Sequence, residues 1–439
     1  MSGNPWLPAA APTTATLDCD RRADVVVIGA GYTGLSAALS LREAGADVVV
    51  LESGHAGAGA SGCNSGHLTT SVGVPAKALL RSLGEDGART FYRFCDEAVA
   101  ATERRIREFH IDCDYVASGN LVASVHPSHD AKLESETLAR RSLGARVSFV
   151  TGPQMRERGI PPAFRCGLLQ EPGGLIDPGK YLRALRDAAL AAGVRLFENS
   201  PLLAIRDGAT VCAETARGVV TADALVLATN AFTPSLGRLE RAVIPLRVCC
   251  IETASLSADE RSAIGWAGGE GVSTTHAIAE SYRWTARGGI SASTRVVHYA
   301  WNSALSSSDD DTRHAVLERA LRARFPVLAS TRIAFRWGGW VAFTTDTLPL
   351  FGTTGPRGNV FHALGYSGHG IAQATLLGAM LAERVRGGRP ALAAPFERKA
   401  WNWPVEPLRW IGARVVLGAL ESLDRRLDRN IAALGSSAS

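Results

Sequence analysis

Lysine is nearly absent from this chain: Lys77, Lys132, Lys180 and Lys399 are the only lysines among 47 Lys and Arg residues. The arginines are scattered rather than stacked, and 42 acidic residues leave a net charge of only +5. A nucleic-acid partner needs a basic patch or stripe and is not expected. The eight cysteines form no C-x-x-C pair and lack the density of a disulfide scaffold, so a reduced, cytoplasmic setting and no metal are expected. No apolar run approaches the ~20 residues of a membrane helix. Residues Met1 to Arg22 have neither the positive start nor the apolar core of a secretory signal. No transmembrane segment and no export are expected.

Hydrophobic residues make up 46% of 439 and charged ones 20%, enough to bury a large core over two or three domains. From Asp24 to Ile28 the chain is a β-branched run of the kind buried on both faces of a parallel sheet. Gly29-Ala-Gly31-Tyr32-Thr33-Gly34 follows, then a helix from Leu35 to Ala44 and a second strand from Asp47 to Leu51, completing a βαβ unit. Asp177-Pro178 starts another helix, with Asp as N-cap and Pro at the first position. Strands over Pro201–Arg206 and Val211–Glu214 flank an Asp-Gly turn. A core strand is expected at Ala224–Thr229, and a strand-rich, aromatic stretch from Val243 to Trp340. Val360–Leu364 reads as a strand and Ile371–Arg386 as a helix. The last segment, from about Leu408 to Leu434, reads as an amphipathic helix that packs on its own protein, on a second subunit in a homo-oligomer, or on a membrane surface.

Gly29-x-Gly31-x-x-Gly34 stands after a buried strand and opens a helix, which is where a dinucleotide fingerprint must be. Gly29 permits the tight turn, Gly31 lets a pyrophosphate reach the backbone, and Gly34 lets helix and strand pack. Glu52 closes the second strand, where a carboxylate meets ribose hydroxyls and repels a 2′-phosphate. The loop containing Ser61, Gly62, Cys63, Asn64, Ser65, Gly66 and His67 follows directly, and its small residues suit a second long polar ligand arm such as the ribityl-isoalloxazine of FAD. No second G-x-G-x-x-G follows a strand, which argues against the built-in nicotinamide site of monooxygenases and disulfide reductases.

Asp24–Gly34, Gly59–Gly66, Leu225–Asn230, Arg336-Trp337-Gly338-Gly339 and Leu364–Gly370 together resemble the FAD-dependent glycine oxidase, D-amino-acid oxidase and sarcosine oxidase superfamily. The resemblance is nearest its γ-glutamylputrescine oxidoreductase branch and covers most of the chain. It implies an α/β fold: a discontinuous Rossmann-like FAD-binding domain (23–90, 165–240, 341–390), a β-rich α+β substrate domain (91–164, 241–340), and a C-terminal linker and helix (391–439). It also implies non-covalent FAD, because the sarcosine oxidase cysteine tether before Gly339 is missing, and contacts from Leu202 to adenine and from Thr229, Gly339, Gly365, Gly368, His369 and Gly370 near the flavin.

The turn at Gly365–Gly370 opens a helix whose amide donors suit negative charge developing on the flavin. By the same resemblance His369, Tyr282, Arg283 and Trp337 are the expected catalytic residues. Strand alternation allows only one of Tyr282 and Arg283 to face a pocket, with Tyr282 orienting an amine or Arg283 a carboxylate. Trp340 and Phe343 join Trp337 as an expected aromatic wall. Cys63 stands where the nearest branch usually carries arginine, and Ala372 where sarcosine oxidases carry the lysine that activates oxygen. The expected activity is oxidation of an amine or amino-acid C–N bond to an imine, which is then hydrolysed, with O2 or another compound as electron acceptor. The alternatives are a dehydrogenase or tailoring oxidase, and a flavin-holding subunit without its own chemistry.

Overall fold

The computed structural model describes residues 3–7, 13–71, 73–305, 310–399 and 401–436. Two eight-stranded sheets organise it. In the first, Arg21–Ile28 runs parallel to Val48–Leu51 on one side and to Val219–Leu227 on the other. Arg195–Phe197 and Val360–Leu364 extend this parallel centre, and Leu350–Thr354 closes one edge antiparallel. Val26, Val27, Val49 and Val50 are fully buried, Val27 and Val50 under helices and Val26 and Val49, on the other face, with Leu17 and the hairpin strands Leu202–Arg206 and Val211–Thr215. The β-branched side chains suit such two-sided burial.

The helix over Tyr32–Glu43 packs chiefly on the helix over Gly370–Val385, which in turn meets the long helical segment Ala76–Glu108, kinked at Gly84. At Gly378 a Cβ would lie 2.5 Å from the Thr33 carbonyl, so the first two helices approach nearly backbone to backbone.

The second sheet runs in the order Ile333–Phe343, Ile244–Thr253, Ile290–His298, Glu280–Trp284, Gly271–Thr274, Asn120–Ala123, Gly167–Gln170, Val147–Val150. It is antiparallel except where Gly271–Thr274 meets Asn120–Ala123. One of its faces packs on the helix Asp310–Arg324 through Ile251, Tyr282, Ala292, Leu317, Leu321 and Phe325. The other face borders the cavity described below.

Two expected domain boundaries fall inside continuous elements, and a third divides one sheet. Gly167–Gln170 pairs with Asn120–Ala123 and Val147–Val150 in the second sheet rather than joining the first. The strand Ile333–Phe343 runs through the 340/341 boundary, and Ala76–Glu108 runs through 90/91 with Phe91, Phe94, Ala98 and Val99 buried in the first sheet's core. Backbone hydrogen bonding sets these limits, whereas a shift in composition is all that a sequence offers for dividing domains.

Candidate active site

The fingerprint turn is built by close packing. Gly29 has φ +101°, and a Cβ on Gly34 would lie 1.8 Å from the Gly29 carbonyl oxygen, so helix and strand meet as the motif requires. Glu52 accepts the Ala30 amide at 2.8 Å and the Gly54 amide at 2.9 Å, which holds its carboxylate at the cavity wall. Gly31, Tyr32, Thr33, Glu52 and Ser61 all line this cavity of about 1320 Å³. The Tyr32 amide donates to Ser61 Oγ at 3.0 Å, and Thr33 Oγ1 bonds Tyr366 Oη at 2.7 Å.

The glycine loop is held from inside by Asn64, which donates to the Ser61 carbonyl at 2.7 Å and accepts the Gly66 amide at 2.9 Å. Arg283 holds it from beneath, donating to the Gly66 and Ile176 carbonyls at 2.9 and 2.6 Å. A Cβ on Gly66 would fall 1.9 Å from the Arg283 guanidinium. Gly339, Thr229, Gly368, His369 and Gly370 also line the cavity. The helices that begin at Tyr32 and Gly370 therefore direct their N-terminal amides into one space, a double positive end suited to an anionic, phosphate-bearing cofactor.

The strand pleat selects what the second sheet presents to this space: Leu246, Val248 and Cys250, then Ser281, Ser293, Val297, Val341 and Phe343. Tyr282 is on the opposite face, fully buried against Phe164 and Phe325, with its hydroxyl donating to Glu280 at 2.9 Å. The expected amine-orienting role is corrected accordingly: alternation turns Ser281, not Tyr282, toward the cavity. Arg283 is not a cavity-lining residue either, because the carbonyls of the glycine loop occupy its donors. Trp337 is buried edge-on to Trp6, centroids 5.9 Å apart, and its Nε1 donates to the Cys63 carbonyl at 3.1 Å. It braces the loop, while Trp340 and Phe343 reach the cavity.

Leu202 pairs with Thr215 on the first sheet's outer hairpin and is not a cavity-lining residue. Gly62, Gly66 and Gly365 are likewise behind the wall and shape it. A Cβ on Gly365 would fall 2.7 Å from Thr344 Cγ2, and the Gly365 amide donates to Asn230 Oδ1 at 3.0 Å. Asn230, which lines the cavity while tying two motif ends together, was not among the expected site residues. Neither were Asn120 and Gln170, although Asn120 begins an apolar strand as the kind of polar interruption that marks a site.

Four histidines among the described residues line the cavity, and two of them, His67 and His369, are neutral acceptors. Asn120 spends its amide hydrogens on the Leu68 and Gly174 carbonyls, so its Oδ1 accepts from His67 Nδ1 at 3.0 Å and leaves His67 Nε2 as a buried acceptor with no partner among the described residues. His369 Nδ1 donates to the Ser367 carbonyl at 3.1 Å, which turns its Nε2 into an acceptor as well. Burial brings both imidazoles down to about 4, helped at His67 by the Arg283 cation. Burial pushes the Cys63 thiol up, keeping it protonated and a poor nucleophile for a flavin tether.

The residues present fit FAD: a glycine cradle that a Cβ would fill, a carboxylate at the ribose position, two helix N-termini, and a cavity larger than the ~300–1,000 Å³ of a single drug-sized ligand. Residues 24–384 match the model of a family described as FAD dependent oxidoreductase. The chain belongs to that family.

The γ-glutamylputrescine oxidoreductase of Escherichia coli (strain K12) is 32% identical to it over 379 residues, 85% of each chain. A probable oxidoreductase, OrdL, of Haemophilus influenzae (strain ATCC 51907 / DSM 11121 / KW20 / Rd) is 29% identical over 373 residues, 83% of each. The crystal structure of glycine oxidase from Geobacillus kaustophilus superposes with a TM-score of 0.72 at 21% identity, over 86% of this chain and 98% of that one. This FAD-dependent oxidoreductase shares that fold. Among its described residues no helix is long and apolar enough to cross a membrane.

Proposed function

We propose that the protein oxidises the C–N bond of an amine or amino acid to an imine, which water converts to a carbonyl compound and a released amine or ammonia. The names of its relatives support an amine or amino-acid substrate. The observation that carries the reading is the pair of neutral imidazole acceptors, His67 and His369, in a cavity to which the second sheet presents Leu246, Val248, Ser281 and Ser293.

An amine gives up hydride from carbon only when its nitrogen lone pair is free to form the C=N bond, so it must bind uncharged. An apolar wall disfavours the ammonium and lowers the amine pKa, while His67 Nε2 and His369 Nε2 accept N–H from the neutral nitrogen. Bound FAD supplies the acceptor for the hydride and passes two electrons on. Gly31, Glu52 and the loop from Ser61 to His67 hold that cofactor, the first sheet and its helices forming its domain and the second sheet the substrate side. Eight unpaired cysteines suit a reducing, cytoplasmic setting.

A second reading, electron transfer to an acceptor other than O2, is favoured by Ala372, a buried methyl on the helix Gly370–Val385 where the resemblance expects an oxygen-activating lysine. The test is anaerobic bleaching of the flavin band by single amines across pH. The rate should rise with pH to a midpoint that moves with each amine's basicity, since imidazoles at about 4 do not titrate there. One midpoint shared by every substrate and abolished in His369→Gln would overturn the proposal by identifying an enzymic base. Slow return of colour in air would support the second reading.

A further inference from the structure

The C-terminal helix Leu408–Ser436 begins beyond residue 384, where the family match ends, and the chemistry above uses none of it. It is nevertheless a wall of the same cavity. Gly412, Ala413, Val416, Leu417 and Leu420 line it at the spacing of one helix face. Ile244, Leu246 and Val297 on the sheet and Ile278 on a neighbouring turn line it too, so helix, sheet and turn all contribute apolar groups. Arg409 and His276, which line it from the same helix and turn, are paired with Glu406 and Asp428.

The helix is latched in this place. Asp424, buried on its inner face, accepts the amides of Ala277 and Ile278 at 2.7 and 2.9 Å, and thereby holds the helix to the turn that carries Ile278. Arg295 pairs with Asp424 at 3.1 Å and with Glu280 at 3.2 Å, and Arg324 joins Glu280 at 3.0 Å. Asp428 meets His276 Nε2 at 3.1 Å. His276, Glu280 and Asp428 bring possible ligand atoms within 4.8 Å of one another, but Arg295 and Arg324 already supply the positive charge that a cation would bring. The cluster serves to fix the wall.

We infer that this arm of the cavity is a second subsite, walled by the C-terminal helix, that takes an apolar tail of the substrate: an amine bearing an alkyl or aryl group several carbons from the reacting nitrogen. The inference rests on the amine reading above. A tail there leaves water for Leu417, Ile278 and Leu246, and its contribution grows with the apolar area covered. Val416, largely exposed, stands at the rim.

The test uses the holoenzyme with n-alkylamines of one to eight carbons under anaerobic conditions. Affinity is read from quenching of tryptophan fluorescence, since Trp340 and Trp403 line the cavity, and chemistry is read from flavin bleaching. Dissociation constants should fall with chain length, by up to about fourfold per methylene. Val416→Glu and Leu420→Glu should flatten that dependence, whereas Leu423→Glu, exposed on the same helix outside the cavity, should keep it; flavin content reports that each variant is folded. Bleaching by amines with no dependence of affinity on length, or a dependence unaltered in both cavity variants, overturns the subsite. A length dependence without bleaching by any amine instead overturns the amine chemistry and leaves the apolar subsite standing.

Discussion

Glu52 shows how one side chain does two jobs: its carboxylate caps the Ala30 and Gly54 amides and faces the cavity where a ribose belongs. Replacing it with alanine leaves two amides short of an acceptor and removes a charge-assisted hydrogen bond to the ligand. Glu52→Ala should weaken FAD binding by about 1.5–3 kcal/mol, measured by titrating the apoprotein with FAD and following loss of flavin fluorescence. Gly31→Val should prevent binding altogether, because a Cβ there already lies 2.7 Å from Ser61 Oγ and the larger side chain enters the space the pyrophosphate needs. Full flavin occupancy in Gly31→Val would refute the fingerprint assignment. At this scale the motif residues were legible in the sequence because glycine at a tight turn has few substitutes. Tyr282, Arg283 and Trp337 were not legible as supports, since an aromatic or arginine in a strand reads the same whether it points at substrate, at a helix or at a loop carbonyl.

The helices divide between those that sequence periodicity announces and the one whose partner it leaves open. Tyr32–Glu43 and Gly370–Val385 are buried nearly all round, between sheet and neighbouring helices. Leu408–Ser436 has one face on the protein, through Trp410, Ala413, Leu417, Leu427 and Ile431, while Leu408, Ile411, Val415 and Leu423 stay exposed. Of the three placements its amphipathic pattern allowed, docking on its own chain is realised, and Asp424 is what secures it. Asp424→Ala abandons the Ala277 and Ile278 amides and leaves Arg295 with one fewer carboxylate. Losing one partner of a buried pair costs about 3–5 kcal/mol, and it should appear as local opening of this helix. Limited proteolysis should cut the segment after Val405 much faster in the variant while the flavin band persists; equal cleavage of both proteins would show that the latch contributes nothing.

For the molecule as a whole, three histidines tie stability to pH. His67, His362 and His369 are held at about 4 by burial, against about 6.5 for an exposed imidazole. The unfolded chain takes up these protons first, so the contribution to stability is intact above pH 6.5, declines as pH falls from 6.5 to 4, and is fully lost below that. Each group accounts for up to about 3 kcal/mol. The thermal midpoint should therefore drop steadily between pH 7 and 5, and His362→Gln, away from the cavity, should make the drop shallower. A midpoint flat across that range would mean that these imidazoles are reached by water and carry no such shift.

The sequence by itself determined the parallel βαβ start, the dinucleotide turn, the second glycine turn at Gly365–Gly370 and the kinship that these motifs carry, because each depends on spacing within a few neighbouring residues. Tertiary structure alone decided which face of the second sheet meets the cavity, that Gly167–Gln170 joins that sheet, and that a helix from the far end of the chain becomes a cavity wall. Those outcomes depend on pairings outside any local window, from Asn120 with Gln170 to Asp424 with Ile278 and Arg283 with Gly66. Local pattern is silent about such contacts: it records which residues are apolar or charged, but the partner that uses them is chosen only when the sheets close on each other.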